Sequence, residues 1–449
     1  MKASRRLRQA QQPRSLLDYV RQFLTPEVCK QARQAIPRRA PAPRWDLQPL
    51  LWIALAMTWA SGDSQQERFE TARGFYVVAY KARRRPGKTL QGFQKALRRV
   101  PMRQLRAFST GVRAQLRRRY GARLLVDGFE PMGCDGSRLE CPRSEQLETR
   151  FRPASKDDCA PTVWLTAFVH LGTGLLWSWR LGPGTADERL HLRQLLETLS
   201  PAALIVADAA YMGYALAWAI VHSGRSFLLR LSSRNDLYTT EKASLETWRE
   251  GLVYYWPKKI QQQHKPPLAC RLIRVAARGK AKHDVWLLTN VLDPARLSVQ
   301  SAGRFYRWRW RNEGLFRTYK RTIRKMKLSS RTVRLVHREA EVSLLALQLL
   351  LAHADLALRT TAVAPGAVVV SPRKVLLAIR EEFQSEPRSR HTCYRQRLEG
   401  CAAVSRQQTS PKERRAWPRR KPHKQPDPPH LHTLDDQQKA LLQRHLHAE

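Results

Sequence analysis

Three carboxylates stand out by their positions. Asp135 closes the apolar stretch "FEPMGCD" and precedes Gly136. Asp208 closes "AALIVAD" and precedes two alanines. Glu313 is the one acid between Arg304 and Lys327, inside "YRWRWRNEGLFRTYKR". Carboxylates from separate elements that meet at one point can hold divalent cations. Oxygen ligands suit Mg2+, which keeps waters for a substrate to displace, and Mn2+ can substitute. Two such ions about 3.5–4 Å apart activate a water or a 3′-hydroxyl and stabilise the leaving oxygen at a phosphodiester.

Each acid also has an ordinary role open to it. An Asp-Gly pair commonly closes a strand, and a strand-end Asp commonly caps the next helix. Glu313 can pair with Arg309 and Arg317 at i±4, worth about 0.2–0.5 kcal/mol per pair. That pairing does not explain why a single acid sits in so basic a segment. Nor does it explain Gly314, which costs about 1 kcal/mol inside a helix.

The elements around these acids are legible from periodicity. At about 100° per residue, Tyr306, Arg309, Glu313, Arg317 and Lys320 share one stripe, with Trp308, Leu315, Phe316, Tyr319 and Ile323 roughly opposite. This predicts an amphipathic helix within 302–325. "FEPMGCDGS" reads as a strand ending at Asp135. "TVWLTAFVHL" and "LLWSWRL" read as strands joined by "GTG", a hairpin signal. "GTADERLHLRQLLETL" reads as a helix with Thr185 and Glu188 as its capping box. "AALIVAD" is a buried strand, followed by a helix near 213–222 and the strand "SFLLRLSS". In such α/β sheets, ligands gather at the carboxyl ends of strands.

The chain divides by texture into five parts. Residues 1–120 are helical and basic, and are expected to touch DNA. Residues 121–232 carry the α/β pattern. Residues 233–301 are β-rich ("LVYYWPKK", "LACRLIRVAA", "DVWLLTNVL") and read as an insertion. Residues 302–387 are helical. Residues 388–449 form a basic, Pro-rich tail expected to be largely disordered. Its histidines, His423, His430, His432, His445 and His447, show no fixed metal-ligand spacing.

Among 449 residues, 81 Lys+Arg face 37 Asp+Glu, a net charge of +44. A charge that large predicts a polyanionic partner, usually nucleic acid. The bases cluster in the first 45 residues, from Arg304 to Arg334, and beyond Arg388. With 13 Trp and 43 % apolar residues, the chain is a folded protein and not a polycation. Seven cysteines without a Cys-x2-Cys pair argue against a zinc site or a disulfide framework. No apolar run is long enough to span a bilayer and no signal peptide is apparent, so the cytoplasm is the default.

The spacing Tyr306-x2-Arg309-x3-Glu313-x6-Lys320 resembles the Y-R-E-K signature of DDE transposases of bacterial insertion sequences, in the insertion-sequence-four family. "CDGSRLECPRSEQLETRF" (134–151) looks like that family's segment around the first aspartate, and "VADAAYMGYAL" (206–216) like the second. The resemblance covers roughly 121–350. It implies an α/β, RNase H-like catalytic core, a mixed sheet flanked by helices and interrupted by the β-rich insertion. It implies Asp135, Asp208 and Glu313 as a Mg2+-binding triad, with two metals. Tyr306, Arg309 and Lys320 would contact double-stranded DNA at the element's ends. The reaction implied is strand cleavage, then strand transfer into target DNA, by a dimer that pairs two ends. A hairpin intermediate is common in the family, with an aromatic of the insertion stacking on a flipped base; Trp248 and Trp256 are the candidates.

Asp127, in "LLVDGFE", rivals Asp135 because it too ends an apolar run before Gly. Asp157 and Asp158 read as solvated loop residues. Two other functions compete with the transposase reading: a structure-selective nuclease on the same core, and a DNA-binding protein that has lost catalysis. The Y-R-E-K stripe disfavours the first, and the presence of all three acids disfavours the second.

Overall fold

A computed structural model of the chain describes residues 15–35, 45–80, 85–152, 159–277, 283–359, 368–384, 390–404 and 427–446. Asp157 and Asp158 lie outside these residues. Six N-terminal helices come first: α1 (Leu16–Arg21), α2 (Pro26–Gln34), α3 (Leu47–Trp59), α4 (Gln65–Ala79), α5 (Leu90–Arg99) and α6 (Met102–Tyr120). Side chains cap five of them at the N-terminus, through Ser15, Thr25, Asp46, Ser64 and Thr89. Each cap satisfies one N–H that the first helical turn would otherwise leave unpaired.

Then come β1 (Glu130–Glu140), α7 (Glu145–Arg150), β2 (Thr162–His170), β3 (Leu175–Pro183), α8 (Glu188–Leu195), β4 (Ala203–Ala207), α9 (Tyr214–His222) and β5 (Ser226–Arg230). The β2–β3 hairpin turns at residues 171–174, where Gly174 adopts φ +75°. Glycine takes that conformation without strain. β2 and β3 pair antiparallel beside β1, while β4 and β5 run parallel to it. The order β3-β2-β1-β4-β5 is that of an RNase H-like sheet.

The insertion supplies β6 (Asp236–Thr239), β7 (Glu250–Tyr255), α10 (Lys258–Gln262), β8 (Leu268–Val275) and β9 (Val285–Thr289). It is β-rich, as its composition indicates, and it continues the core sheet. Leu228, Leu229 and Arg230 of β5 pair with Thr289, Leu288 and Leu287 of β9. The result is one ten-stranded sheet, closed at its far edge by β12 (His430–Thr433) beside β6.

The chain returns through α11 (Val299–Trp308) and α12 (Trp310–Arg317), then a π-helical turn at Thr318–Thr322. The 302–325 helix expected from periodicity runs on through Arg309, whose φ −51° and ψ −31° are helical, with a local change of hydrogen-bond spacing. α13 (Val333–Arg359) follows and is the buried spine. Trp59 of α3 donates its indole N–H to the Ala346 carbonyl at 3.2 Å. From the sheet side, Trp179 of β3 donates to Glu341 at 2.6 Å. The N-terminal helices and the sheet thus share one core, packed against opposite sides of α13.

After α13 come β10 (Val368–Val370), α14 (Pro372–Gln384), α15 (Arg390–Glu399), β11 (Ala402–Val404), β12 and α16 (Asp436–Leu446). Part of the tail read as disordered is folded. Leu434 and Leu442 are buried with Tyr238, Tyr254 and Trp256 in a small cluster of their own. No described helix is long and apolar enough to cross a membrane. Among the described residues, Cys29, Cys134, Cys141, Cys159, Cys270 and Cys401 are free thiols.

Candidate active site

Strand register brings Asp135 and Asp208 together. On the parallel side of β1, the ladder ends at the pair Gly133–Val206. Asp135 lies two residues past Gly133, and Asp208 two past Val206. Both strands run the same way, so the two aspartates occupy equivalent places at the carboxyl ends of neighbouring strands. Side chains two apart on a strand share a face. Leu204 and Val206 belong to the cluster formed with Phe305 and Tyr306. Asp208 therefore emerges toward α11.

β1 does not stop at Asp135, as its Asp-Gly pair suggests. The antiparallel ladder to β2 continues from Asp135–Ala167 through Glu140–Thr162. Asp135 is a strand end only toward β4, which is the side that matters for meeting Asp208. Each aspartate accepts a hydrogen bond from the next backbone N–H, at 2.8 Å for Gly136 and 2.8 Å for Ala209. The capping role thus coexists with a carboxylate free to reach a second partner.

α12 approaches this corner closely because β1 carries a glycine there. A Cβ at Gly133 would lie 2.6 Å from Leu171 Cδ2 and 2.9 Å from the Asn312 amide. Asn312 is fully buried, and Glu313 follows it, exposed to solvent. No ion pair among the described residues joins Glu313 to Arg309 or Arg317, so the i±4 pairing does not form. Gly314 faces open space, and exposed Arg307, Arg317, Arg321 and Arg324 lie along the same stretch.

Arg309 turns toward the aspartates. Its Nη2 lies 3.7 Å from Asp208 Oδ2, and Arg230 Nη1 lies 3.6 Å from Oδ1. The Tyr306 hydroxyl donates to Asp208 Oδ1 at 3.4 Å. Tyr306 is 9 % exposed and Arg309 7 % exposed. Burial works against the charge of Arg309, but Tyr306, Asp208 and Asp135 together hold its pKa above the ordinary value. Two members of the Y-R-E-K stripe therefore sit on the second aspartate. Lys320 is half-buried, and burial lowers its pKa against the opposing pull of Glu140.

Burial pushes the Asp135 carboxyl up to about 6; the Gly136 N–H and Arg309 oppose the rise, and Glu188 and Asp208 add to it. Glu188 is a neighbour the sequence reading missed. Asp187, not Thr185, caps α8, through the Arg189 N–H at 2.8 Å. Glu188 reaches instead toward β1, where a Cβ on Gly136 would come within 3.0 Å of its Oε2. A helix-start Glu three residues after a Thr gives no signal of a contact across the sheet.

A carboxyl with a raised folded-state pKa favours folding while protonated. For Asp135 that advantage is full below about pH 4 and is lost as pH rises through about 6. Asp135→Asn should therefore stabilise the metal-free protein at pH 8, by on the order of 2 kcal/mol, and much less at pH 4. Thermal melts at the two pH values check this. The gain should shrink when Mg2+ is added, because the ion stabilises only the carboxylate form.

Carboxylate oxygens are the donor type a hard divalent cation takes, but the ligand atoms of Asp135, Asp208 and Glu313 do not all lie within 4.8 Å of one another. Asp135 and Asp208 offer only oxygens, and their shared corner already holds the guanidinium of Arg309. Glu313 stands one position beyond the helix residue packed on β1. Asp127 is excluded from the corner. It lies before β1 in a turn, at φ +49°, held by Arg304 and Ser301. Of the two candidate aromatics, Trp256 is core: it is 1 % exposed and donates to the Lys265 carbonyl at 2.9 Å. Trp248 is half-buried, with Arg249, Arg274 and Arg307, in the wall of a cleft of about 980 Å3 between the insertion and α11.

Residues 135–349, just under half of the chain, match the family model described as a transposase DDE domain. The match starts at Asp135 and contains Asp208 and Glu313. Among solved structures, the chain is similar to a piggyBac transposase synaptic complex with hairpin DNA, determined by cryo-EM. The identity is 13 % and the TM-score 0.43, over 90 % of this chain and 88 % of that one. At that TM-score the likeness carries no weight for individual residues. No curated protein matches the chain in sequence.

Proposed function

We propose that the chain is a DNA transposase of the insertion-sequence-four type, carrying out strand cleavage at its element's ends and strand transfer into target DNA. The observation that carries this reading is the equivalence of Asp135 and Asp208 at adjacent parallel strand ends, beneath the helix bearing Glu313. The match of 135–349 to a transposase DDE domain supports it.

In this reading Asp135, Asp208 and Glu313 hold two Mg2+ ions. Bound there, the ions would activate a water or 3′-hydroxyl and stabilise the leaving oxygen. The protein's own groups do the rest. Tyr306 and Arg309 fix the Asp208 carboxylate in one orientation. Arg309 sets a positive charge against Asp208 and opposes the rise in the Asp135 pKa, which limits the repulsion between the two aspartates. Arg317, Arg321 and Lys320 offer cations to the phosphates on either side of the scissile bond. In this reading Trp248, whose indole N–H donates to the Leu272 carbonyl at 3.1 Å, would stack on a base displaced into the cleft. Two chains act together because two ends must be paired. The cytoplasm is the compartment this reading assigns.

The test is a joining assay with duplexes that end in the element's own termini. Cleaved ends covalently joined to a target plasmid, in Mg2+ or Mn2+, are the expected product. Cleavage without joining would favour a nuclease on the same core. Binding alone would favour a protein that has lost catalysis. Lys320→Ala should weaken end binding and reduce the slope of log K against log salt by roughly one unit. An unchanged slope would remove Lys320 from the phosphate contacts.

A further inference from the structure

Far from the aspartate corner, the outer edge of the sheet carries a second set of metal-type donors. β12 reads His-Leu-His-Thr, and on a strand the i, i+2 spacing puts both imidazoles on one face. β12 pairs parallel with β6, and the register sets His430 opposite Asp236. Asp236 Oδ1 lies 3.4 Å from His430 Nδ1 and 3.3 Å from His432 Nε2. One donor atom from each residue lies within 4.8 Å of the other two, and this is the one such group of three or more among the described residues.

Those separations are informative. Donors bound tetrahedrally to Zn2+ at about 2.0–2.1 Å stand about 3.4 Å apart. Both Asp–His separations already match, and the two His nitrogens lie within 4.8 Å of each other. Imidazole nitrogen with carboxylate oxygen suits Zn2+, Ni2+ or Cu2+ over Mg2+. All three side chains reach solvent, so a fourth position is open to water. The Tyr238 ring packs against the His432 ring at 5.5 Å between centroids and restricts its orientation.

We propose that Asp236, His430 and His432 bind one divalent transition-metal ion, with zinc as the physiological class. The ion clips the C-terminal segment to the edge of the sheet. β12 is a four-residue edge strand joined to the main body through a long connection after β11. Its flanking backbone bonds are His430 to Asn235 and Leu434 to Thr239, each 2.9 Å. Metal bound only in the docked state adds its binding free energy to docking. The ion therefore decides how firmly β12 and α16 cover β6 and the cluster around Trp256. Histidine spacing that looks irregular along the tail becomes a ligand pair once 430–433 is a strand.

The test uses the full-length protein in excess Mg2+, which occupies oxygen-only sites. Co2+ is titrated as a visible probe, then displaced by Zn2+. The expected result is one equivalent bound with ligand-field absorption, weakened at least tenfold in His432→Ala and in Asp236→Asn. Zn2+ should slow amide exchange at residues 430–434 in the unmodified protein and leave it unchanged in His432→Ala. His432→Asn, which keeps a polar contact to Asp236, serves if the alanine variant undocks the strand. It too should lose the Co2+ bands. Equal Co2+ stoichiometry and affinity in all variants would overturn the proposal, as would Zn2+ without effect on exchange at 430–434.

Discussion

Asp208→Asn should reduce metal-dependent strand cleavage by roughly a thousandfold or more, while DNA binding changes by less than about threefold. The magnitude follows from the role. A metal ligand contributes several kcal/mol of charge stabilisation at the phosphodiester, and each 1.36 kcal/mol is tenfold in rate. Asparagine keeps the shape and can still accept from the Tyr306 hydroxyl, but it cannot pair with Arg309 and Arg230. Arg309 then loses the nearer of its two carboxylate partners in a buried setting. Removing one member of a buried pair destabilises a fold, but Asp208 is 37 % exposed, which softens the effect to about 1 kcal/mol. A melting curve separates that loss from the catalytic one. Wild-type cleavage in the Asn variant would remove Asp208 from the chemistry.

The second large effect concerns the third carboxylate. Glu313→Gln should abolish cleavage to a similar degree, whereas Glu188→Gln should leave it within about tenfold. The proposed triad predicts this contrast: Glu188 acts electrostatically on Asp135, and Glu313 is exposed and open to an ion. Two features favour Glu313. It follows Asn312, which packs against the glycine of β1, and it makes no ion pair with the arginines on its own helix. Glu188 raises the Asp135 pKa by repulsion, so Glu188→Gln should lower the pH at which Mg2+ first supports cleavage. Rate–pH profiles of the two variants therefore separate a ligand from a neighbour. Reversed results would move the third ligand to α8.

What was legible in the sequence depended on the range of the interaction. β4 with Asp208, and the β2–β3 hairpin, were readable because apolar runs and turn residues encode them locally. The stripe of Tyr306, Arg309 and Glu313 was readable from helical period, although its partner on the sheet was not. Arg309 reaches Asp208, a contact 101 residues away in sequence. The insertion announced itself by β composition, but its continuity with the core rests on the β5–β9 pairing, which no period specifies. Glu188 was read as a cap because its partner lies across the sheet. The tail was read as disordered because Pro, Arg and Lys dominate its composition. The short Leu434 and Leu442 contacts that fix β12 and α16 need the insertion's aromatic cluster to be seen. Trp256 belongs to that cluster, which is why it is core and Trp248 is not.

In the proposed active site, Asp135, Asp208 and Glu313 close on divalent metal when DNA is bound. Crystals of the protein with a cleaved element end, grown in Mn2+, test it through anomalous scattering. The expected result is Mn2+ peaks ligated by Asp135 and Asp208, with Glu313 completing the site and the DNA 3′ end beside it. A peak held by Asp135 and Glu188, or no peak at this corner with DNA bound, would contradict it.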